Sequence, residues 1–423
     1  MSTSQTTTAG GPDDRKQIRP ETIRAHFPAL QRDLVYFENA GGSQVPTTVA
    51  DRMREYMLNS YVQLGAGYDL SARCTEVVDE AHRFIDRFVG GESAGRVILG
   101  ASCTQLINML ADGYAPALKA GDEIVLCETG HEANLGAWER LADRVDGLRI
   151  RWWKVDPKTG ECSLDELKSL LGERTRLLAF PHVSNLLGEI VDINAITRLA
   201  HDAGARVVVD GVAYAPHRAM NVSDWNVDWY VYSTYKVYGP HMGALFGRSD
   251  AIAELRGPNH FFIADDDVPY KFEPGGVSHE GCAGLLGFGE YLRALTGANG
   301  DGLPDRAAIE RAGRIMTEAE LPLQEHLIGY LNQHPNVRLL GPAHGGESRV
   351  GTISFLHTTK SSAELTRAIQ HAGFAMRHGH MYAYRMCRAM GIDLQDGVVR
   401  ISFVHYNTHE EIERLIDTLE SIL

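Results

Sequence analysis

Short apolar runs and amphipathic segments alternate along much of the chain from about residue 75. The apolar runs include "GRVILG", "DEIVLCE", "TRLLAFPHVS" and "ARVVVDG", and segments with helical periodicity stand between them. Short, continuously apolar strands joined by helices predict a mostly parallel sheet that is covered on both faces. In such a sheet, ligands bind beyond the carboxyl ends of the strands.

The pattern changes towards both ends of the chain. "ETIRAHFPAL" predicts a short helix, and "VYFENAGGSQVP" predicts a strand and a Gly-rich turn before a helix that begins near Pro46. Beyond a Gly/Asp/Pro-rich break near residue 295, a long helix, further strands and a closing helix from about Thr408 predict a smaller α+β unit. We therefore expect a disordered tail over 1–22, a segment over 23–48 that joins the small domain, a large domain over 49–295 and a small domain over 296–423.

Composition and charge exclude several classes of partner. The chain has 423 residues, of which 44% are hydrophobic, so it can bury a large core. Its formal net charge of -14 argues against a nucleic acid or an anionic membrane as a partner, since both favour a basic surface. No apolar run reaches the ~18 residues of a membrane span, and the polar N-terminus contains no signal-peptide core. We therefore expect a cytoplasmic protein.

Cysteine and histidine spacing gives no sign of a metal centre. The six cysteines are scattered without a C-x-x-C pair, and the eighteen histidines include no H-E-x-x-H motif. The prediction is reduced, mostly buried thiols and no bound metal.

Two apolar runs end in residues of opposite charge. "ARVVVDG" ends in Asp210 and "VDWYVYSTYK" ends in Lys236, so in a parallel sheet both side chains emerge at the same edge. Taken singly, Asp210 is typical of a helix cap or turn, and Lys236 of a solvated surface. Together they suggest a pyridoxal phosphate site, in which the lysine amine binds the cofactor aldehyde and the acid keeps the pyridine nitrogen protonated.

Four motifs resemble, in the same order, those of the class V aminotransferases, a family of fold-type I pyridoxal phosphate enzymes. They are "HVSNLLGEIVDI", "VVVDG", "STYKVYGPHMGALFGR" and "VVRISFVHYNTHEE". Within the family the chain is most similar to the cysteine desulfurase-like branch, from about residue 23 to its end. The resemblance implies an α/β fold, with a mostly parallel seven-stranded sheet in the large domain and a smaller C-terminal α+β domain. It also implies pyridoxal 5′-phosphate as the cofactor and a homodimer, since relatives insert the loop that matches "KFEPGGVSHEG" into the partner's active site.

The resemblance assigns cofactor roles residue by residue. Lys236 matches the Schiff-base lysine, Asp210 the partner of the pyridinium nitrogen, and His131 the histidine that stacks on the ring; these are the predicted catalytic residues. From the sequence alone, His131 has a second interpretation as an ordinary first-turn residue of a helix. The other predicted cofactor contacts are Asn185, at the phenolic oxygen, Cys103 and Thr104, at a helix start that favours a phosphate, and Ser233, Tyr235, Ala213 and Gly276.

The resemblance also assigns substrate contacts. Arg400 matches the arginine that binds the substrate α-carboxylate, a role that suits its planar fork of donors. Asn39, Ala40 and Gly41 match a turn where the backbone approaches the substrate. The candidates for contacts with the substrate side chain are His380, Tyr382, His217 and Arg377, and each of them has a structural interpretation as well.

The chain departs from the closest cysteine desulfurases at a central position. Those enzymes carry a sulfur-accepting cysteine before the last strand, and this chain has Tyr382 in its place. A phenol cannot carry a persulfide. Cys387, five residues on, is either a replacement nucleophile or a buried helix residue. Ala213 stands where desulfurases have glutamine, Tyr235 where they have histidine, and Gly65 where sulfur-mobilising relatives have arginine.

These features predict a pyridoxal phosphate-dependent lyase that cleaves a C–S or C–C bond at the β-carbon of an L-amino acid, without the usual persulfide cysteine. Lys236 is the predicted base. Three alternatives stay open: an aminotransferase or epimerase, a cysteine desulfurase that uses another thiol, and a non-catalytic protein that keeps the fold. The complete set of Lys236, Asp210, Asn185, His131 and Arg400 counts against the last of these.

Overall fold

The computed structural model describes residues 19–298 and 302–423. The predicted tail over 1–22 lies outside the described residues except for 19–22, and Pro20 to Thr22 form the start of the first helix. The strands of the described residues are β1 (Val35–Tyr36), β2 (Gly95–Gly100), β3 (Glu123–Cys127), β4 (Arg149–Trp153), β5 (Thr175–Pro181), β6 (Arg206–Asp210), β7 (Trp229–Ser233), β8 (Gly243–Arg248), β9 (Val337–Leu340), β10 (Thr352–His357), β11 (Phe374–Ala375), β12 (Arg377–Gly379) and β13 (Val398–Ser402).

The α-helices of the same residues occupy most of the connections between these strands. They are α1 (Pro20–Arg24), α2 (Thr47–Asn59), α3 (Asp69–Val89), α4 (Cys103–Tyr114), α5 (Gly136–Arg144), α6 (Leu164–Leu170), α7 (Ile193–Asp202), α8 (Ser249–Ala253), α9 (His279–Thr296), α10 (Arg306–Leu331), α11 (Ser362–His371), α12 (Tyr384–Ala389) and α13 (His409–Ile422). Among these helices, none combines the length and apolar character needed to cross a lipid bilayer.

The large sheet contains seven strands in the order β2-β8-β7-β6-β5-β3-β4. Neighbours from β7 to β4 are parallel, whereas β8 runs antiparallel to both β7 and β2. The helix–strand alternation did not predict β8, because its glycines are typical of turns. A Cβ at Gly243 would lie 2.6 Å from the backbone nitrogen of Cys103, so glycine there lets the first turn of α4 approach the sheet.

Helices cover both faces of this sheet. In β6, Val207 and Val209 lie in the apolar core on one face, to which α3, α7 and α9 contribute. Val208 lies in the core on the other face, with α4 and α5. Because the strand is buried on both sides, its sequence is continuously apolar rather than alternating.

The C-terminal part forms a second sheet of four antiparallel strands, in the order β12-β13-β10-β9. α10, α11 and α13 pack on it around a separate apolar core, to which Ile353 and Ile401 belong. β1 pairs with β11, and Val35 and Phe37 lie in the same core. The N-terminal segment therefore contacts the C-terminal sheet.

α10 contacts both parts of the molecule. Ile309 and Met316 lie in a core of the large sheet, whereas Leu323 and Leu327 lie in the core of the C-terminal sheet. Pro322 stands between these two halves of the helix. The boundary proposed after residue 295 precedes this shared helix and stays a prediction.

Candidate active site

Asp210 and Lys236 lie at the carboxyl edge of the large sheet. β6 and β7 are adjacent and parallel, and Asp210 is in register with Val231. Lys236 lies three residues beyond β7, in a short 3₁₀ turn. The sheet therefore brings together a carboxylate and an amine that are separated by 26 positions in the sequence.

Asp210 is a buried carboxylate with little compensation for its charge. The residue is 6% exposed, and its Oδ1 accepts a hydrogen bond from the Val212 N–H at 3.0 Å. Burial raises the pKa of Asp210, although that hydrogen bond and the charge of Lys236 act in the opposite direction. No ion pair to this carboxylate occurs within residues 19–298 and 302–423. An incompletely neutralised buried carboxylate favours a bound cation or proton.

Lys236 is half-buried, and its amine is partly withdrawn from water. Desolvation and then the charge of Arg400 lower the pKa of Lys236 to about 8, against the opposing effect of Asp210. Its Nζ forms no hydrogen bond or ion pair in the described part of the chain, and it lies 5.9 Å from the centre of the Tyr235 ring. An amine with a pKa near neutrality supplies the free base that attack on an aldehyde requires.

The first turn of α4 lies beside the end of β7. Cys103 Sγ lies 3.1 Å from Ser233 Oγ, and burial raises the pKa of the Cys103 thiol to about 12. Ser102 caps the helix, Thr104 is exposed in the first turn, and Tyr235 lies close enough to Ser233 to interact with its hydroxyl. The first N–H groups of a helix have no intrahelical acceptor and favour an anion. This corner therefore offers hydroxyl and N–H donors for a phosphate.

The ring of His131 faces the loop that carries Tyr382. The two ring centroids are 5.2 Å apart, and His131 Nδ1 accepts a hydrogen bond from the Ala133 N–H at 3.1 Å. Burial, followed by the charges of Lys236 and Arg400, lowers the pKa of His131 to about 4, so the ring is neutral at physiological pH. Tyr382 is 64% exposed and has a φ of 62°, in the left-handed region that tyrosine rarely adopts. Tyr382 thus lies at the open side of the site.

Asn185 and Arg400 meet in the interior of the site. Asn185 Nδ2 donates to the Met381 carbonyl at 2.9 Å, while its Oδ1 is buried without a hydrogen-bond partner. Arg400 is 3% exposed, and its Nη1 donates to the Asn185 carbonyl at 3.3 Å. Burial lowers the pKa of Arg400 to about 10, and no described carboxylate forms an ion pair with it. Buried polar groups that the protein leaves without partners are typical of ligand sites.

The Gly-rich turn lies between β13 and the lysine turn. Asn39 Nδ2 donates to the Ser402 carbonyl at 2.8 Å, and the Ala40 N–H donates to Ser402 Oγ at 2.8 Å. The Ser43 N–H donates to the Tyr235 carbonyl at 3.2 Å. These bonds hold the predicted substrate-side turn against the residue next to Lys236.

Glu38 and Ser402 belong to this site, although the sequence did not single them out. Glu38 Oε1 lies 2.7 Å from Arg377 Nε, and a Cβ on Gly41 would lie 2.9 Å from the same oxygen. Arg377 and Arg400 are paired across β12 and β13, so their side chains share one face of the sheet. The sequence signal available for both was their closeness along the chain to predicted site residues. Glu38 directly precedes the predicted turn, and Ser402 lies two residues after Arg400.

His217 and Cys387 are buried among protein partners, in line with the structural interpretation of each. His217 is 3% exposed, and its Nδ1 lies 2.9 Å from Glu320 Oε2. Cys387 is fully buried in an apolar cluster with Leu187 and Met386, and burial raises the pKa of its thiol to about 11. The contacts of both side chains described here are with the protein itself, and a contact of His217 with the substrate stays a prediction.

The remaining predicted site residues are His380, Ala213 and Gly276, and each has a different environment. His380 Nδ1 accepts a hydrogen bond from the Tyr382 N–H at 3.1 Å. Ala213 is half-buried, three residues after Asp210. Gly276 is exposed, with a φ of 82°, and it lines a cavity of about 670 Å³ next to α4. The contacts of Gly276 with a cofactor stay a prediction.

One group of potential metal ligands occurs among the described residues, and it lies on α10 and α13. The donor atoms of His326, His409 and Glu413 are within 4.8 Å of one another, with His409 and Glu413 exposed. The two imidazole rings are stacked, with centroids 4.6 Å apart. The group does not belong to the carboxyl edge of the large sheet.

Comparison with known proteins agrees with this geometry. The profile of the Aminotransferase class-V family matches residues 35–415. The chain is 37% identical over 413 residues to the aminotransferase-like protein FGM3 of Gibberella zeae, covering 95% of this chain and 98% of that protein. It is 30% identical over 421 residues to the cysteine desulfurase of Dickeya dadantii, covering 95% and 96% of the two chains. The apo structure of a cysteine desulfurase from Thermococcus onnurineus matches with a TM-score of 0.82 at 26% identity, over 96% of this chain and 98% of that one. The chain therefore belongs to the class V aminotransferase family, in its cysteine desulfurase-like branch, and has the fold-type I architecture.

Proposed function

We propose that the protein binds pyridoxal 5′-phosphate through Lys236 and cleaves a C–S or C–C bond at the β-carbon of an L-amino acid. The observation that carries the proposal is the pairing of a desolvated amine with a buried, incompletely neutralised carboxylate, Asp210, at neighbouring strand ends. Groups of this kind are costly to keep in a fold and are typical of catalytic sites. Family membership supports the cofactor, since class V enzymes generally use pyridoxal phosphate.

The residues present fit the cofactor. Asp210 would meet its protonated ring nitrogen, and the unpartnered side chain of Asn185 would meet its phenolic oxygen. Ser233 and the first turn of α4 would hold its phosphate, and the neutral ring of His131 would stack on it. When bound, pyridoxal phosphate supplies an electron sink that stabilises negative charge at the substrate α-carbon.

The protein's own side chains position the substrate and move its proton. Arg400, which forms no ion pair with a carboxylate in residues 19–298 and 302–423, would bind the α-carboxylate with two parallel hydrogen bonds. The Lys236 amine, with a pKa of about 8, would take the α-proton as a general base and return it later as an acid. The side chain of the substrate would then extend towards the open side, where Tyr382 is exposed.

The absence of a sulfur acceptor at Tyr382 supports release of the leaving group into solution. The thiol of Cys387 is buried in an apolar cluster, and that of Cys103 is buried against Ser233. Burial raises the pKa of both thiols, so neither is prepared for nucleophilic attack. A cysteine desulfurase that uses another thiol is therefore the less favoured alternative.

An aminotransferase is the second candidate, because the same lysine, carboxylate and arginine serve transamination. The similarity to an aminotransferase-like fungal protein supports it. The two functions differ in stoichiometry: a transferase consumes one α-keto acid for each amino acid that it converts, whereas a β-lyase needs no acceptor.

The experiment is a panel of L-amino acids, including cysteine, cysteine sulfinate and aspartate, given to the purified cofactor-loaded protein with and without an α-keto acid. Sulfide, sulfite, carbon dioxide and alanine are assayed. The proposal expects acceptor-independent release of one of the first three products. Lys236→Ala should abolish product and the yellow absorbance, and Lys236→Arg, which keeps the charge, should do the same. Turnover that depends strictly on the α-keto acid would favour the aminotransferase, and unchanged absorbance in Lys236→Ala would refute covalent binding.

We also propose a homodimer in which the loop around Gly276 enters the neighbouring site. The cavity between this loop and α4, about 670 Å³ in volume, leaves room for a second chain. Sedimentation measures the mass. Mixing Lys236→Ala with a Gly276→Trp variant tests for shared sites, because a mixed dimer should regain part of the activity. A monomer, or mixtures without recovery, would contradict the shared site. A cytoplasmic location stays a prediction.

A further inference from the structure

Two thiols that the proposed reaction does not use lie next to each other. Cys127 is the last residue of β3, and Cys162 lies in the loop before α6. Their Sγ atoms are 3.7 Å apart, and Cys127 Sγ also lies 3.1 Å from Thr129 Oγ1. Cys127 is 3% exposed, whereas Cys162 is half-buried.

Both thiols line one cavity. Its volume is about 170 Å³, and its wall includes the polar side chains of Thr129, Ser184 and Glu189. A single water needs roughly 10–15 Å³ on this measure, so a small polar molecule fits beside the two sulfurs.

The surrounding structure allows the sulfurs to close the remaining gap. A disulfide needs an S–S distance of about 2.05 Å. The two Sγ atoms are 3.7 Å apart, so the gap to be closed is smaller than the width of an atom. Cys127 is fixed, because β3 is paired with β4 on one side and β5 on the other. Cys162 lies in a loop whose residues 156–159 are exposed, so the shift that closes the gap would fall on the Cys162 side.

The electrostatic environment favours reaction at Cys127. Burial by itself raises the pKa of the Cys127 thiol, but the adjacent side chains of Cys162 and Thr129 act in the opposite direction, and that pKa lies below its ordinary value. A thiolate is the reactive form of cysteine, and reactive cysteines often stand beside a resolving thiol.

We propose that Cys127 and Cys162 are an oxidation site, at which a small peroxide converts the two thiols into a disulfide. Cys127 Sγ attacks one peroxide oxygen: an S–O bond forms, the O–O bond breaks, and the released hydroxide takes a proton and leaves as water. Cys162 Sγ then attacks Cys127 Sγ: the S–S bond forms, the S–O bond breaks, and a second water leaves. The two sulfurs together lose two electrons, and hydrogen peroxide gains them.

The product would tie the active-site edge to a surface loop. Gly130 donates its N–H to the Cys127 carbonyl at 3.0 Å, one residue before His131. On the other side, a Cβ on Gly160 would lie 3.5 Å from both Leu187 and Met390, so this loop packs on the cluster that contains Met381. The disulfide would join the turn before His131 to that loop.

The test uses full-length protein as purified, treated with hydrogen peroxide, alkylated and mapped by mass spectrometry. The expected result is a peptide that links Cys127 to Cys162, lighter by two hydrogen atoms and separated again by dithiothreitol. The mapping needs no variant, so it does not depend on any mutant folding. Both cysteines remaining open to alkylation, a link to another cysteine, or Cys127 advancing to sulfinic acid without a disulfide would overturn the proposal.

Variants assign the two roles. In Cys162→Ala, Cys127 should stop at a sulfenic acid that dimedone captures. In Cys127→Ala, reaction of Cys162 with peroxide should slow by about tenfold or more, because it loses the activated partner. Cys387→Ala, a buried cysteine outside the pair, should form the same disulfide as the unmodified protein. Equal rates in Cys127→Ala and the unmodified protein would contradict the assignment.

Discussion

The two ends of strands β6 and β7 each carry a buried aspartate, and the two aspartates differ in how many charged partners surround the carboxylate. At the amino-terminal end, Asp228 is fully buried and accepts from Arg206 Nη1 at 2.7 Å, with Arg248 Nη2 and His201 Nε2 each at 2.8 Å. At the carboxyl end, Asp210 is almost as buried, yet one backbone N–H is its hydrogen-bond partner. An aspartate is thus paired with three cationic side chains at one edge, whereas at the other edge the charge of Lys236 acts on the aspartate without an ion pair among the described residues.

The difference separates stability from function. A buried charge with several partners maintains the fold, and removing one partner leaves the others uncompensated. A buried charge with little compensation from the protein costs free energy in the folded state and is available to a ligand. The same contrast holds for Arg349, whose guanidinium donates to backbone carbonyls, and Arg400, which has one carbonyl as its acceptor.

The largest expected effect comes from exchanging the two aspartates for asparagine. Asp210→Asn should lower kcat by about 10²–10³-fold, the typical loss when one stabilising polar group is removed from an active site. Asp228→Asn should lower the free energy of unfolding by about 3 kcal/mol while kcat stays within a few-fold. Urea unfolding of the cofactor-free proteins and steady-state kinetics measure both. If Asp210→Asn lost stability as Asp228→Asn does, the contrast between the two edges would be wrong.

The two buried arginines give the next comparison. Arg400→Gln should lower kcat/KM by roughly 10–100-fold, since a hydrogen-bonded charge pair contributes about 1.5–3 kcal/mol. Arg349→Gln should instead lower the free energy of unfolding, because three backbone carbonyls lose their donor. Substrate saturation curves and thermal unfolding distinguish the outcomes. A normal kcat/KM in Arg400→Gln would remove this residue from the site.

The pH dependence of Lys236 tests whether the carboxyl edge is desolvated. Its amine is protonated below a pKa of about 8 and free above it. Capture of pyridoxal phosphate by the cofactor-free protein should therefore accelerate about tenfold per pH unit below pH 8 and level off above it. Borohydride reduction of quenched samples measures the bound fraction. A rate that still rises at pH 10, as for a solvated lysine, would show that desolvation is absent; Lys158→Ala, an exposed-loop variant, is the matched control.

The smallest effect on kcat/KM is expected at the solvent-exposed side of the site, where Arg377 and Glu38 form an ion pair that water screens. Arg377 is paired with Glu38 and its side chain is 53% exposed. Exposed pairs contribute about 0.2–1 kcal/mol. Arg377→Gln should therefore lower the ratio of kcat/KM for cysteine sulfinate over cysteine by about 1.5- to fivefold, because the sulfinate carries the additional negative charge. Parallel kinetics with both substrates give the ratio. An unchanged ratio would show that Arg377 does not sense the substrate side chain.

The interior of the site could be predicted from the sequence to a larger extent than its rim. Asp210 and Lys236 end apolar runs, and the topology of a parallel sheet places such ends together. Glu38, Ser402 and Met381 could not be found in this way, because their roles depend on the pairing of β13 with a distant turn and on a left-handed backbone at Met381, with a φ of 47°. For β8, glycines that permit close packing against α4 and Trp229 looked like turn residues in the sequence.

The sequence pattern was enough to predict the class of fold and to place Asp210 and Lys236 at one sheet edge, because continuous apolar runs and their charged ends follow directly from burial on both faces of a sheet. The other residues of the proposed cofactor site came from the resemblance of the motifs to the family. Tertiary structure alone decided which charges are neutralised. Asp210 ends an apolar run and Asp228 precedes one, but neither position shows how many cations surround the carboxylate. The cations around Asp228 come from strand and helix positions that only folding brings together. It also decided that Cys127 and Cys162 are neighbours and that Cys387 is buried, since thiol contacts depend on how loops and helices pack across the sheet.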